Sequence, residues 1–562
     1  MRSPAPLLLL LLPAGSASAA PDALSAYKEE ETKIRRADGA FWREFQRRYS
    51  QALLAWRDPL EAADAKPDEN REAVYDYSVL RGIYEEYAAL ERQAAEAAAT
   101  LASSDHPKAF DTLLDELLDA AKEIDAVDKE LADARPKAKR VLFDPRPGVL
   151  RHGLEFRLQG LVRALAALPR AAPMLADQAW KQAQSKDGSR SLVRRVAVLD
   201  ALGLAGDAAG ARPLLESVLL REKVTSLRIA ALEALLRYAP ETTPVLIPLL
   251  DDASPIVRRA LVQGVRGAEQ RDPGFIGPFA RALATAEGLL RGDLVDALEA
   301  LTRQKFGYAP VRWAEWAREY QAEIDAGRFR PEAVEVIEAN REAMPEAVSF
   351  YGLATASRRI VYLIDGSLNL SVPSDVDFQR TRYILHWPGS QRDWHAAHPP
   401  HRVIVGRELA RSLERFPEKG LFAVGVMHAD CDTEFLGAAQ AVAPTARVRK
   451  EIEEAFSKLP ARGWCAQLEG LMAAMALAGR DPATADGFAD TVFLLGDGSP
   501  AGGRYMTAES VLAAFRRLNR FRRITVHAIR ICNAKEEGEA LLKGLAELSG
   551  GTYLWARSPP AP

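Results

Sequence analysis

Residues 359–369 read Arg-Ile-Val-Tyr-Leu-Ile-Asp-Gly-Ser-Leu-Asn, and this stretch decides the fold of the last third of the chain. Residues 360–364 form a short apolar run with three β-branched side chains, which is typical of a strand buried in a parallel sheet. The run ends at Asp365, and Gly366 and Ser367 follow it. The segment therefore predicts a buried strand with a polar loop at its carboxyl end.

Three later segments repeat this apolar pattern, with helical stretches between them. They cover residues 421–426, 491–495 and 524–529. Strands that alternate with helices predict a doubly wound, Rossmann-like α/β domain with a mostly parallel sheet, whose ligand site lies at the carboxyl ends of the strands. Asp365 and Asp497 both follow such strands, so we expect them to meet at one edge of the sheet. Two carboxylates flanked by serines predict a hard oxygen site suited to Mg²⁺.

Short motifs around these strands resemble those of von Willebrand factor type A (VWA) domains. Residues 365–369 resemble the D-x-S-x-S motif of the metal-ion-dependent adhesion site, and residues 495–498 resemble the later T-D-G motif. Residues 460–465 and the helix after them are similar to the G-G-T loop and helix of the family, and residues 550–553 to its final G-G-x-Y strand. The resemblance covers residues 348–557 and extends to bacterial members that join this domain to HEAT repeats.

The resemblance implies a metal site and a protein partner. The metal would be Mg²⁺, or alternatively Mn²⁺ or Ca²⁺, and an acidic side chain of the partner would complete its coordination. The implied ligands are Asp365, Ser367, Asn369, Cys465 and Asp497.

Three positions depart from the family's pattern. Asn369 stands where the second serine belongs, and its amide oxygen could ligate a metal from a longer side chain. Cys465 replaces the threonine of the loop, and a thiol is a poor ligand for a hard cation. Gly496 replaces the threonine before the aspartate. The alternative interpretation is therefore a metal-free structural scaffold, in which Asp365 and Asp497 only cap loops through hydrogen bonds.

An insertion of roughly thirty residues follows the Asp365 loop and is rich in histidine. A loop of this length often has a function, and histidines spaced by three residues on a helix could bind a transition metal. Pro399 and Pro400 interrupt such a helix, so a solvated loop is the other interpretation. The residues concerned are His386, Asp393, His395, His398 and His401.

A metal-dependent hydrolase built on this insertion is the third functional hypothesis. The chain has no G-x-S-x-G elbow, no H-E-x-x-H motif and no glycine-rich phosphate loop after a strand. We therefore expect that the protein is not an enzyme.

Residues 146–325 contain a repeat that predicts an α-solenoid closed by an aromatic cap. An apolar residue followed by arginine recurs at intervals of 34, 30 and 33 residues and opens an Ala/Leu-rich helix each time. The four pairs are Val193-Arg194, Leu227-Arg228, Val257-Arg258 and Leu290-Arg291. These segments resemble HEAT repeats, which commonly provide a docking surface; a structural spacer is the alternative.

The rest of the chain predicts helices and an export signal. Residues 1–20 combine Arg2, an apolar run and an A-x-A ending, the order of a secretory signal peptide. Residues 21–145 have helical apolar spacing, and residues 326–347 form a charged connector to the VWA-like domain at 348–557. No other stretch is long and apolar enough to span a bilayer. The expected location is the periplasm or the outside of the cell.

Composition narrows the class of partner. The 562 residues are 48% hydrophobic and 27% charged, a globular balance, and the net charge of -3 gives no basic surface for nucleic acid. The cysteines are Cys431, Cys465 and Cys532, an odd number that leaves at least one thiol outside any disulfide within the chain. The sequence thus predicts an exported protein that binds another protein through its C-terminal domain.

Overall fold

A computed structural model describes the chain in segments. They are residues 20–65, 78–104, 106–133, 146–184, 191–269, 271–335, 347–367, 401–417, 420–428, 433–436, 442–458, 465–477, 489–498, 505, 507–531 and 536–556. The predicted signal peptide up to residue 19 and the histidine-rich insertion up to residue 400 lie outside the described residues, as does most of the predicted connector, residues 336–346. No helix among the described residues is long and apolar enough to cross a membrane.

The described part of the chain begins with long helices that pack on one another. Helix α2 contacts both α1 and α4, and α3 packs on α4. Apolar side chains at helical spacing, such as Leu113, Leu117 and Leu161, are buried between them. The bounds are α1 Ala20–Ala65, α2 Ser78–Ala102, α3 Ala109–Asp133 and α4 Arg146–Ala166.

Shorter helices follow and stack in pairs. The α-helices are α5 Ala171–Met174, α6 Trp180–Ala183, α7 Leu192–Leu204, α8 Ala208–Arg221, α9 Thr225–Leu236, α10 Thr243–Leu246, α11 Pro255–Gly267, α12 Ile276–Leu283, α13 Gly288–Thr302, α14 Pro310–Glu319 and α15 Gln321–Asp325. A π-helical turn at Leu175–Ala179 joins α5 to α6, and 3₁₀ turns lie at Ile247–Asp251, Pro273–Phe275 and Pro331–Ala333. Helices α7, α9, α11 and α13 contact one another in sequence and form one layer of the repeats.

The recurring arginines of this layer all bind backbone carbonyls. They lie in α7, α9, α11 and α13, and each donates a hydrogen bond to a backbone carbonyl that precedes its own helix. The acceptors for Arg194, Arg228, Arg258 and Arg291 are the carbonyls of Leu118, Leu219, Asp252 and Ala286. A carbonyl left unpaired in a loop or at a helix end is costly when it is buried. Arg228, Arg258 and Arg291 therefore satisfy carbonyls at a helix end or in a loop, whereas the acceptor of Arg194 lies within α3.

Within the described residues, eight strands follow α15, with further helices between them. A small antiparallel hairpin consists of β1 Val348–Phe350 and β2 Leu353–Thr355. The main sheet has the order β5-β4-β3-β6-β7-β8, in which only the edge strand β5 runs antiparallel. Its strands are β3 Arg359–Asp365, β4 Leu421–Met427, β5 Thr433–Phe435, β6 Thr491–Gly496, β7 Thr525–Arg530 and β8 Tyr553–Trp555.

Helices cover both faces of the main sheet, because alternate residues of its strands point to opposite sides. Ile360 and Tyr362 pack with α16 and α17, whereas Val361 and Leu363 pack with α18, α19 and α20. These helices are α16 His401–Glu414, α17 Ala446–Lys458, α18 Gln467–Ala476, α19 Ala508–Arg520 and α20 Glu536–Ser549. The predicted fold class, an all-α region followed by a doubly wound and mostly parallel α/β domain, is confirmed.

The helical repeats contact the sheet at the amino ends of its strands. Arg259 of α11 donates to the backbone carbonyl of Arg523 and to the hydroxyl of Thr525, where β7 begins. Arg358, directly before β3, pairs with Glu287 at 3.0 Å. These contacts fix which end of the sheet faces the repeats.

The end of helix α19 adds a group of ion pairs to this interface. Arg520 donates to both carboxylate oxygens of Asp200 at 2.8 and 2.5 Å, and to Glu233 at 2.8 Å. Glu233 also accepts from Arg523. Asp200 and Glu233 lie on α7 and α9, so the layer of helices that carries the recurring arginines is also the one that binds the α/β domain.

Candidate functional site at the carboxyl edge of the sheet

The two aspartates singled out in the sequence meet at the carboxyl ends of adjacent strands. Strand β3 ends at Asp365, and Ile364 lies opposite Leu495 of β6, two residues before Asp497. The backbone N–H of Asp497 donates a hydrogen bond to the Asp365 carboxylate. Because parallel strands in register end at the same edge, the local sequence after each strand determines this contact.

The Asp365 carboxylate is buried and only partly satisfied. Its Oδ1 atom accepts the backbone N–H of Ser367 at 2.8 Å. Its Oδ2 atom is also buried and has no hydrogen-bond partner among the described residues. Burial raises the pKa of the Asp365 carboxyl, while hydrogen bonds from Ser367, Asp497 and Cys465 oppose that rise. The site therefore holds a buried carboxylate that is surrounded by donors from three parts of the chain.

A hydroxyl and a thiol lie beside this carboxylate. The side chains of Ser367 and Cys465 both donate hydrogen bonds to Asp365, and both residues are buried, at 5% and 3% exposure. Cys465 lies two residues before the start of α18 and is not part of a disulfide. The structure thus brings together Asp365, Ser367, Cys465 and Asp497 from three separate parts of the chain.

Glycines allow the strands and loops to approach this closely. A Cβ atom on Gly496 would lie 2.9 Å from the Cβ and 3.0 Å from the Oδ2 of Asp365. Gly498 has a φ of 75°, and its Cα faces the backbone of Gly538 in the first turn of α20. Only glycine fits these two positions without displacing a neighbour. Gly496 therefore leaves room for the Asp365 carboxylate over β6.

The donor set fits a divalent cation in part. A buried carboxylate oxygen without a partner, a nearby hydroxyl and a second acidic residue favour a positive ion. The thiol of Cys465 is not a ligand that Mg²⁺ prefers. Within the described ranges, no group of three or more His, Cys, Asp or Glu side chains is arranged to hold a metal. A cation here would need water or a partner molecule to complete its coordination.

A histidine at the same edge was not singled out from the sequence. His428 follows β4 directly, and its Cε1 atom would lie 3.0 Å from a Cβ placed on Gly366. Its Nε2 lies 3.5 Å from Glu434 of β5, and its buried Nδ1 has no hydrogen-bond partner among the described residues. The signal was its position: any residue just after a predicted parallel strand is a candidate for the site edge.

The remaining predicted site residues fall elsewhere. Asn369 lies outside the described residues, and so do His386, Asp393, His395 and His398 of the insertion. His401 is described: it is buried at the first position of α16. The thiols of Cys431 and Cys532 also lie outside the described part of the chain.

Fold and edge together define the class: a doubly wound α/β domain carried on helical repeats, with an acidic carboxyl edge. A solved structure named von Willebrand factor type A from Catenulispora acidiphila is similar to this chain at 20% sequence identity, with a TM-score of 0.26. The match covers 37% of this chain and 40% of that one. No protein-family model matches the chain, and no curated protein was found to match it.

Proposed function

We propose that this protein binds another protein through the carboxyl edge of its α/β domain and that it has no enzymatic role. This edge is formed by Asp365, Ser367, Cys465 and Asp497, and the first three of these residues are buried. A divalent cation held by these residues would offer an open position to an acidic side chain of the partner. We further propose that residues 1–20 direct export, so that the partner is met in the periplasm or outside the cell.

The position of the helical repeats carries this proposal. The repeats contact the amino ends of β3 and β7, through Arg358 and Arg259. A seven-residue strand is about 20 Å long, so the sheet separates these contacts from Asp365 by that distance. The repeats therefore hold the α/β domain in a fixed orientation with its carboxyl edge directed away from them.

The N-terminal helices border the same edge. Arg81 of α2 pairs with Glu537 in the first turn of α20 at 3.1 Å. Glu537 also accepts the backbone N–H of Ala508, and the adjacent Gly538 packs against Gly498 of the Asp497 loop. A partner that reaches Asp497 would thus lie next to the first turn of α20 and to helix α2.

Site-specific photocrosslinking in the full-length protein tests the proposal. A photoreactive residue at Glu434, beside His428 at the carboxyl edge, is expected to capture a partner from an extract of the source cell's envelope and medium. The matched control carries it at Val311, which is 68% exposed on α14 of the repeats. Asp365→Ala should abolish capture at Glu434.

Two results would count against this function. One is capture of the same species from Glu434 and Val311, because that would indicate unspecific adhesion. The other is undiminished capture at Glu434 in the Asp365→Ala variant, because the partner would then not depend on the site. Loss of capture at Glu434 in the presence of a chelator would show in addition that binding of the partner needs a metal.

A further inference from the structure

Equivalent positions of the four repeats carry polar side chains. They are Asp200 of α7, Glu233 of α9, Gln263 of α11 and Asp296 of α13. Each directly precedes a small residue and then an apolar one, and the intervals between them are 33, 30 and 33 residues. Because equivalent positions of stacked repeats lie side by side along one face of a solenoid, these four residues form a row, which we call the repeat row.

The first half of the repeat row is acidic and binds two arginines of the α/β domain. Arg520, the last residue of α19, donates to both carboxylate oxygens of Asp200 at 2.8 and 2.5 Å and to Glu233 at 2.8 Å. Arg523 donates to Glu233 as well. The four side chains are between 17% and 28% exposed, so these ion pairs are partly shielded from water and are stronger than pairs on an open surface.

The next position of the repeat row is neutral, and there the α/β domain presents hydrogen-bond acceptors instead of cations. Gln263 donates to Asp293 within the repeats at 3.2 Å. Arg259 of the same helix donates to the backbone carbonyl of Arg523 and to the hydroxyl of Thr525. The repeats thus place acids opposite arginines and an arginine opposite acceptors. Complementarity of this kind gives an interface its specificity, which indicates that the repeat row is fitted to this domain.

We propose that the repeat row is a docking surface for the α/β domain of the same chain and not for an outside partner. An outside protein could reach Asp200 and Glu233 only by displacing Arg520 and Arg523. At the far end of the row, Asp296 pairs with Arg266 of the repeats at 2.8 Å. The inference rests on the proposed function and deepens it, since it leaves the carboxyl edge as the place where an outside protein binds.

Double electron–electron resonance on the full-length protein tests the inference, because it measures the distance between two spin labels. One label is attached at Val311→Cys on α14, where the native side chain is 68% exposed, and the other at Val403→Cys on α16, where it is 37% exposed. Cys431→Ser and Cys532→Ser are included so that these two positions take no label, and Cys465 is buried. A domain docked on the repeat row should give one narrow distance distribution.

Charge reversal along the repeat row should abolish the narrow distance distribution. Asp200→Arg with Glu233→Arg places like charges opposite Arg520 and Arg523, so the domain should lose its fixed orientation and the distribution should broaden. Adding Arg520→Glu and Arg523→Glu reverses the charges on both sides of the interface and should restore the narrow distribution, because residues in contact do not act additively.

The matched control is Glu216→Arg on α8. Glu216 is 27% exposed and pairs with Arg212 of its own helix, so this charge reversal should leave the distribution narrow. Circular dichroism establishes that the reversed variants are folded; should they unfold, Asp200→Asn with Glu233→Gln provides the same comparison.

Four results would overturn the inference. The distribution could stay narrow after reversal of Asp200 and Glu233, or Glu216→Arg could broaden it as much. The doubly reversed interface could fail to restore it. Lastly, the extract used for photocrosslinking could broaden the distribution of the unreversed protein, which would mean that an outside partner displaces the domain from the repeat row.

The outcome is separable from that of the proposed function. Partner capture at Glu434 together with a distribution that charge reversal does not change would retain the binding edge and reject docking on the repeat row. A distribution that depends on Asp200 and Glu233, with no partner captured at Glu434, would retain the docking surface and reject the binding edge.

Discussion

Arg259 of helix α11 donates a hydrogen bond from Nη2 to the Oγ1 atom of Thr525, the first residue of β7, across 3.1 Å. The two residues are 266 positions apart in the chain. Arg259 also pairs with Asp293 at 2.6 Å. Burial raises the pKa of Asp490, which directly precedes β6, and the positive charge of Arg259 opposes that rise. One buried guanidinium therefore connects the repeats to the starts of two strands.

The variant Arg259→Ala is expected to destabilise the α/β domain by about 3–5 kcal/mol, because it leaves buried carboxylates without their cation. Hydrogen exchange at the backbone amides of β6 and β7 should accelerate, and the urea midpoint should fall. Arg266→Ala is the control: its pair with Asp296 is partly exposed, at 33% and 49% of the two side chains, and is expected to contribute less than about 1 kcal/mol. Equal effects of the two variants would contradict a special role for Arg259.

Much of the α/β domain could be predicted from the sequence, because its central strands are continuous apolar runs. Residues 359–364 and 491–495 need no distant information to be assigned as strands, and an aspartate after each run indicates the carboxyl edge. The short strand Thr433–Phe435 has no such run, and it forms by pairing antiparallel with β4 at the sheet edge.

Contacts between distant segments could not be predicted in the same way. Nothing near Arg259 in the sequence indicates that it reaches Thr525. The recurring apolar-arginine pair predicts where each repeat helix begins, but it does not predict which distant residue a neighbouring side chain contacts. The closeness of Gly496 to Asp365 was equally hidden, because it depends on how two strands approach each other. The pairing of the repeats with the chain's own α/β domain is thus information that only the tertiary structure provides.

Threonine at position 496, the residue of the VWA motif that residues 495–498 resemble, should destabilise this protein. In Gly496→Thr, the new Cβ would lie 2.9 Å from the Asp365 Cβ, so the carboxylate or the strand must move. Overpacking of this kind costs about 1–3 kcal/mol, measurable as a lower urea midpoint. Gly267→Ala, which has no atom within 4 Å of its new Cβ, should change stability by less than about 0.5 kcal/mol. A fully stable Gly496→Thr variant would show that Asp365 does not pack closely against Gly496 of β6.

Acid should weaken the sheet through His527. Burial lowers the pKa of His527 from 6.5 to about 4, and its Nδ1 accepts the backbone N–H of Thr552 at 3.3 Å. The unfolded chain therefore takes up a proton at a higher pH than the folded one, and stability falls as the pH decreases from 6.5 to about 4. The shift corresponds to a loss of at most about 3 kcal/mol.

Denaturation of the His527→Gln variant at several pH values checks this predicted pH dependence. Glutamine keeps a polar side chain at position 527 but cannot be protonated. The variant should be less stable than wild type at pH 7.5, because it loses the stacking of the ring on Phe493. Its stability should nevertheless depend less on pH between 6.5 and 4. Burial also lowers the pKa of His152 to about 4, so part of the dependence should remain in the variant. An unchanged slope would mean that His527 is accessible to protons.

Asp365→Asn should stabilise the protein when metal is absent. Burial raises the pKa of Asp365 in the folded state, so its carboxyl contributes most to stability when protonated, and that contribution is lost as the pH rises through the folded pKa. Asparagine is neutral at every pH and can keep the hydrogen bond that Oδ1 accepts from Ser367. In chelator at pH 7.5, its thermal midpoint should therefore equal or exceed that of wild type, whereas a divalent cation that binds at this edge, as proposed, should raise the midpoint of wild type alone. If chelator leaves the wild type more stable than Asp365→Asn, the hydrogen bonds from Ser367, Cys465 and Asp497 already compensate the buried charge, and the edge would need no cation.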